Sequence, residues 1–254
     1  MPKSIPISSQ IPKQFKTSFL EHAEPSRYMT GDIIVQEGDY DRSLYLITEG
    51  RVEVIKKRED GLGDKVVSIL QANDIFGEIT YFFGDQRTAT IRACEKTIVH
   101  RLSLELASKL MHNHSELYSF LYTLSLKRWV ATLTLTLSLF SDLPEPALMT
   151  LITQSQCRVI RAGTRLYSHG DIPDHLYILL SGMLEVHQPN QEPLDMTYGQ
   201  CLTPITSLHG QPSPYTASSI SECVIATFFI SDILHASKNN PAFLSRLENS
   251  LLAC

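Results

Sequence analysis

Residues 31–54 read GDIIVQEGDYDRSLYLITEGRVEV, and residues 163–186 read GTRLYSHGDIPDHLYILLSGMLEV. The second stretch lies 132 residues after the first and aligns with it without a gap. Gly31/Gly163, Gly38/Gly170, Asp39/Asp171, Leu44/Leu176, Tyr45/Tyr177, Gly50/Gly182, Glu53/Glu185 and Val54/Val186 are identical, eight of 24 positions. Ile34/Leu166 and Ile47/Leu179 are similar in kind. Average residue usage would give about one or two identities by chance. A repeat of this kind means two copies of one structural unit.

Each copy reads as β structure. Ile33, Ile34 and Val35, residues 44–47 and residues 52–55 form short apolar runs, separated by glycines and acidic residues at 37–39 and 49–50. Short strands at close, regular spacing predict a sandwich or barrel. Gly38 and Gly50 are expected at hairpin turns with positive φ, and residues 56–65 form a further exposed hairpin. The pattern changes after residue 102. Ser103 is placed to cap a helix with Glu105 in its first turn. Across residues 115–140, Leu126, Val130, Leu133, Leu137 and Phe140 recur at spacings of 4, 3, 4 and 3, one helical face. Residues 132–139 also alternate Thr or Ser with Leu, a strand signature, but the helical spacing runs longer and predicts helix. Asp142, Leu143, Pro144, Glu145 and Pro146 stop one helix and start the next. The expected domains are residues 1–140 and 141–254.

Composition narrows the function classes. The 254 residues are 43% hydrophobic and 19% charged, which suits a globular chain with a real core. The net charge of -5 argues against broad, charge-driven nucleic-acid binding. No apolar run reaches the length of a membrane span. Residues 1–15 are polar, carry Pro2, Pro6 and Pro12, and lack the apolar core of a secretion signal, so the cytoplasm is the expected location. Cys94, Cys157, Cys201, Cys223 and Cys254 are scattered, with no metal-ligand spacing, and read as reduced thiols.

Residues 74–91, DIFGEITYFFGDQRTATI, carry the chemistry. Gly77 and Glu78 open a short helix over Glu78–Phe83. A helix start offers free N–H groups and a positive dipole end to a phosphate, and Gly77 lets the ligand approach the backbone. Arg87 supplies a forked cation for two phosphate oxygens. Ala89 leaves the next amide accessible. Glu78 is an acceptor, suited to a ribose hydroxyl. Together they describe a sugar-phosphate site, although Arg87 and Glu78 could instead form a plain surface ion pair.

In order and spacing, Phe76, Gly77 and Glu78, followed nine positions after Glu78 by Arg87, Thr88 and Ala89, resemble the phosphate-binding cassette of cyclic nucleotide-binding domains. That family includes protein kinase A regulatory subunits, cyclic-nucleotide-gated channels and the catabolite activator protein. The resemblance extends through the Gly31-Asp32 and Glu49-Gly50 turns. It covers residues 15–140 well and 141–250 more loosely. It implies a mainly β fold of two tandem antiparallel β-rolls, of double-stranded β-helix or jelly-roll type, with flanking α-helices. It implies cAMP or cGMP as ligand, with no metal. Glu78 would accept from the ribose 2′-OH and Arg87 would pair with the cyclic phosphate. Backbone groups of Gly77, Ile79 and Ala89 would complete the cradle. Thr88 could reach a phosphate oxygen or a syn guanine, which leaves cAMP and cGMP both open. The family closes a helix over the base; Tyr118, Tyr122 and Trp129 lie on that helix here, where core or dimer packing is the expectation for each.

The second copy departs from this pattern. Anchoring Gly84 on Gly210 puts Thr203 at Gly77 and Pro204 at Glu78. Anchoring Thr88-Ala89 on Thr216-Ala217 puts Tyr215 at Arg87, with two residues inserted between the anchors. Both the ribose acceptor and the phosphate cation are then missing, with His209 a conceivable substitute cation. The 24 residues from Ser231 suffice for one or two helices. They leave no room for a DNA-binding helix-turn-helix, and no Arg-Arg-x-Ser inhibitory segment precedes residue 31. The expected function is a non-enzymatic receptor whose output an effector protein carries, unless the chain is part of a longer one. The residue 126–140 face could pair two chains or pack the domains. The competing readings are an interaction scaffold with a vestigial site and a cupin-like metal enzyme. The latter has only His112-x-His114 close-spaced, on a helix where i and i+2 diverge.

Overall fold

The computed structural model describes residues 10–57, 63–84, 86–189, 191–238 and 240–251. Branched and aromatic runs become strands between glycine turns. The first half holds α1 (Lys13–His22), β1 (Glu24–Tyr28), β2 (Ile33–Val35), β3 (Leu44–Glu49), β4 (Arg51–Lys57), β5 (Asp64–Gln71), β6 (Ile75–Phe76), α2 (Glu78–Phe83), β7 (Thr90–Ala93), β8 (Thr97–Leu102), α3 (Leu104–Asn113) and α4 (Ser115–Thr136). After a 3-10 turn (Ser138–Phe140) come α5 (Glu145–Gln154), β9 (Gln156–Ile160), β10 (Arg165–Tyr167), β11 (His175–Ser181), β12 (Leu184–His187) and β13 (Leu194–Met196). A second 3-10 turn (Ile205–His209) leads to β14 (Thr216–Ser219), β15 (Cys223–Phe229), α6 (Ile230–Ser237) and α7 (Pro241–Ser250). The chain divides into two compact units, Met1–Thr132 and Leu133–Cys254.

In the first unit the sheets run β1-β8-β3-β6 and β2-β7-β4-β5, all pairs antiparallel. Strand β3 shows how the core is divided. Its alternating side chains face two ways. Tyr45 and Ile47 join Val52, Leu70, Phe76, Ile91 and Val99 inside the roll. Leu44 and Leu46 join Phe15, Phe19, Leu110, Leu117 and Leu121 of the helices. In the second unit the sheets run β10-β14-β12-β13 and β11-β15-β9, around Leu179, Leu184, Val186, Leu202, Ala217 and Ile225. Each unit is a mainly β roll with flanking helices, as the repeat and the resemblance predict.

The repeated glycines have a physical cause. Gly50 and Gly182 have φ of 84° and 93°. A Cβ at Gly50 would lie 2.5 Å from the Lys96 carbonyl oxygen, and one at Gly182 would lie 2.3 Å from that of Glu222. Only glycine fits either turn. The hairpin expected at residues 56–65 has paired flanks, to Lys57 opposite Asp64, while its tip at 58–62 lies outside the described residues.

The helix expectations need one correction. Ser103 caps α3, its Oγ accepting from the Leu106 amide at 3.4 Å, with Glu105 in the first turn. Helix wins over strand in α4, but α4 stops at Thr136 rather than at 140. Leu137 is extended, with φ -66° and ψ 133°. The Thr136 hydroxyl bonds back to the Leu133 carbonyl at 3.4 Å, the local competition by which hydroxyl side chains weaken a helix end. Phe140 therefore leaves the predicted face and packs in the second unit, 5.5 Å from the Phe228 ring and 6.2 Å from that of Phe243.

Candidate ligand site of the first roll

The site grows from the β6–α2 junction. Gly77 has φ 93° and ends the strand, and α2 starts at Glu78 as expected. Its first amides have no partner within the helix, which leaves donors at this end. A Cβ at residue 77 would stand 2.6 Å from the Ser43 carbonyl oxygen and 2.8 Å from Arg87 Nη1. The absent side chain is thus the space that Arg87 uses.

Arg87 enters from the loop before β7. Its backbone is fixed on both sides: its amide donates to the Asp39 carbonyl at 2.8 Å, and its carbonyl accepts from Gly38 at 2.9 Å. Its side chain is buried, the residue 4% exposed. Nη2 donates to Asp41 Oδ2 at 2.9 Å and to the Ser43 carbonyl at 2.7 Å, and Nη1 reaches the Gly77 carbonyl at 3.4 Å. The guanidinium carbon lies 5.4 Å from the Tyr45 ring centroid. Buried Nε has no acceptor among the described residues.

Glu78 is buried at 2% exposure and does not pair with Arg87. Arg128 of α4 donates from Nη1 to Glu78 Oε1 at 2.8 Å and to the Ile75 carbonyl at 2.7 Å. The reading of Glu78 with Arg87 as a surface pair is overturned, because both are buried and each has another partner. Phe76 is buried and its ring stacks on Tyr45 at 4.9 Å. Ile79, Thr88 and Ala89 are half-buried.

Two polar residues at the site escape the sequence reading. Asp41 accepts from the Ser43 amide at 3.0 Å, the Ser43 hydroxyl at 2.7 Å and the Tyr45 hydroxyl at 2.9 Å, besides Arg87. Burial works to raise its pKa, but the hydrogen bonds from Ser43, Arg87 and Tyr45 outweigh it and hold the carboxyl well below the usual carboxylate range. Burial and the Asp41 charge raise the Tyr45 pKa, so its hydroxyl stays a donor. Arg128 is the other. Its signal was the Lys127-Arg128 pair set between Leu126 and Trp129. Asp41 carried no comparable signal.

The aromatic residues of α4 pack against α2. Phe82 meets the Tyr118 and Tyr122 rings edge-on at 5.3 and 5.4 Å, and Phe83 lies 5.3 Å from Trp129. Packing is the role the structure gives them.

The second roll corrects the sequence register. Gly170 N–H donates to Ser213 at 2.8 Å and the Ser213 amide to Asp171 at 2.7 Å, the same pair of bonds that Gly38 and Asp39 make with Arg87. Thr216 Oγ1 accepts from His169 N–H at 3.0 Å, as Thr90 Oγ1 does from Glu37. Ser213, not Tyr215, therefore stands at Arg87, and one offset of 126 runs from Gly77 to Ile91 with no insertion. Thr203 and Ser213 are fully buried, 0% and 1% exposed. Thr203 Oγ1 accepts from the Tyr177 amide at 2.9 Å and donates to the His175 carbonyl at 3.1 Å. That carbonyl corresponds to the one of Ser43 that Arg87 holds. The Ser213 hydroxyl is taken by the Tyr215 backbone. His209 is exposed at the end of its 3-10 turn.

The chain is thus two successive β-rolls, the first with a buried arginine beside a left-handed glycine at a helix start. A family model described as cyclic nucleotide-binding domain matches residues 25–114 and 157–240. The chain belongs to that family, in two copies. Human cGMP-dependent protein kinase 2 is 23% identical over 188 residues, 69% of this chain and 23% of that protein. The cAMP-dependent protein kinase regulatory subunit of Schizosaccharomyces pombe is 31% identical over 91 residues, 36% of this chain and 21% of that protein. The chain spans about a quarter or less of these relatives. Among solved structures, the regulatory subunit of a cAMP-independent protein kinase A from Trypanosoma brucei aligns at 15% identity and TM-score 0.42, covering 96% of this chain and 95% of that one. The catabolite activator protein of Thermus thermophilus aligns at 23% identity and TM-score 0.44, covering 52% and 61%. Among the described residues no helix is long and apolar enough to cross a membrane, and no group of three His, Cys, Asp or Glu is placed to hold a metal ion.

Proposed function

We propose that this chain is a non-catalytic cyclic-nucleotide receptor of the cytoplasm that takes cAMP or cGMP in its first roll. The observation that carries the reading is Arg87: a buried guanidinium with an unfilled Nε donor, in space left by Gly77. A buried donor without an acceptor is costly, and a phosphate oxygen relieves it. Glu78 accepts from the ribose 2′-OH, while the amides of Gly77, Ile79 and Ala89 line the cradle and Thr88 faces the phosphate or the base. The second roll, with Thr203, Pro204 and Ser213 in place of Gly77, Glu78 and Arg87, takes no nucleotide. The output passes to a partner protein, and similarity to a cAMP-dependent protein kinase regulatory subunit supports a protein kinase as the partner class.

Calorimetric titration with cAMP and with cGMP tests this. One site per chain is expected, and the ratio of the two affinities names the messenger. Arg87→Ala should weaken binding by roughly 1.5–3 kcal/mol or more, the scale of a charge-assisted bond. Equal affinity of the two proteins removes Arg87 from the site. No binding of either nucleotide to the unmodified chain leaves the scaffold reading in its place.

A further inference from the structure

The ion pair between Arg87 and Asp41 has a feature that positioning alone does not explain. Asp41 and the Ser43 carbonyl both accept from Nη2, while the neighbouring Nε is buried and unsatisfied. Nε–H and one Nη2–H point the same way, so that edge suits an anion with two oxygens in its plane. Two further acceptors keep the guanidinium in place without Asp41, the carbonyls of Ser43 and Gly77. Asp41 itself has a second cation. Arg101 of β8, whose side chain is 43% exposed, brings Nη2 to 3.5 Å from Asp41 Oδ1, while Arg87 holds Oδ2. The carboxylate therefore lies between a buried arginine and a movable one.

We propose that Asp41 is a resident counter-anion that competes with the ligand phosphate for Arg87, and that Arg101 retains Asp41 when the phosphate takes its place. The inference rests on the reading of the first roll as a nucleotide site. Asp41 is ionised across the physiological range, since its hydrogen bonds hold the carboxyl far down. The exchange is thus one anion for another on a single cation. It costs little because the three donors of Ser43 and Tyr45 stay with the carboxylate. The resident carboxylate sets the nucleotide concentration at which the site fills.

The test compares the full chain with Asp41→Asn, Arg101→Gln and the double variant by calorimetry with cAMP and cGMP, alongside melting without ligand. Asp41→Asn should bind nucleotide tighter by roughly fivefold, the scale of one partly exposed ion pair. It should also melt lower without ligand, because Arg87 loses its counter-charge. Arg101→Gln should weaken binding in the unmodified chain and have no effect beside Asp41→Asn. A merely structural Asp41 predicts weaker or unchanged nucleotide binding in Asp41→Asn, and that result overturns the proposal while the receptor reading stands. An Arg101→Gln effect of the same size in both backgrounds overturns the retaining role. If the unmodified chain binds neither nucleotide, the receptor reading fails and this proposal fails with it.

Discussion

Gly77 shows how little freedom single residues have at this site. Its φ of 93° lies where other residues are strained, and a Cβ there meets Arg87 Nη1 at 2.8 Å. Gly77→Ala should therefore lower both the melting temperature and nucleotide affinity, whereas Gly38→Ala, strained in φ but with nothing within 4 Å of its Cβ, should lower stability alone. Calorimetry and thermal melting of the two variants separate strain from crowding. Glu78→Ala removes the carboxylate partner of half-buried Arg128, so it should destabilise the chain as well as weaken binding. Its specific mark is ribose discrimination. The preference for a nucleotide over its 2′-deoxy form should shrink in Glu78→Ala, and an undiminished preference would place the ribose elsewhere. Asp41 adds an acid dependence. A depressed carboxyl contributes stability that is complete above the ordinary range near pH 4 and is lost as acid protonates the folded state. Melting temperature should fall less steeply on acidification in Asp41→Asn than in the unmodified chain. These partners were hidden in the sequence because Asp41 lies 46 residues from Arg87 and Arg128 lies 50 residues from Glu78, on separate elements.

Elements α2 and α4 are joined by rings and by one ion pair. Phe82 and Phe83 pack on Tyr118, Tyr122 and Trp129, and Arg128 reaches past them to Glu78. A ligand that touches Glu78 thereby touches α4, and it can shift that helix only through different affinity for its arrangements. Trp129 is the single tryptophan of the chain and stands 5.3 Å from Phe83. Nucleotide titration should change its emission, with a midpoint matching the calorimetric one, and Arg128→Ala should shrink the change. Constant emission at saturating nucleotide would remove α4 from the response. The helix itself was legible from its 4-3 spacing. Its end was not, because residues 132–139 satisfy helix and strand patterns alike and the outcome turns on where Leu137 and Phe140 find their cores.

At the scale of the whole molecule, two rolls share an architecture and differ in chemistry. The register of the second roll decides which residues replace the site, and the structure places Thr203, Pro204 and Ser213 there. Substituting Thr203→Gly, Pro204→Glu and Ser213→Arg together should create a second nucleotide site, counted by calorimetry in a chain carrying Arg87→Ala. Tyr215→Arg in place of Ser213→Arg should not. A site created only by the Tyr215 variant would restore the register with an insertion.

The repeat, the roll architecture and the segment that carries the candidate site could be read from the chain before folding. Glycines that no Cβ could replace and alternating apolar strands leave local, periodic marks, and Gly77, Glu78 and Arg87 keep a fixed spacing along one short segment. Folding alone decided the partners and the register. The Thr88-Ala89 match to Thr216-Ala217 is a chance identity, overruled by backbone hydrogen bonds that pair Ser213 with Gly170 and Asp171. Arg87 meets Asp41, Glu78 meets Arg128, and the Thr203 hydroxyl takes the carbonyl corresponding to the one that Arg87 holds, because distant strands and helices converge there. Such contacts depend on which elements are neighbours in space, a property that no local pattern of side chains encodes.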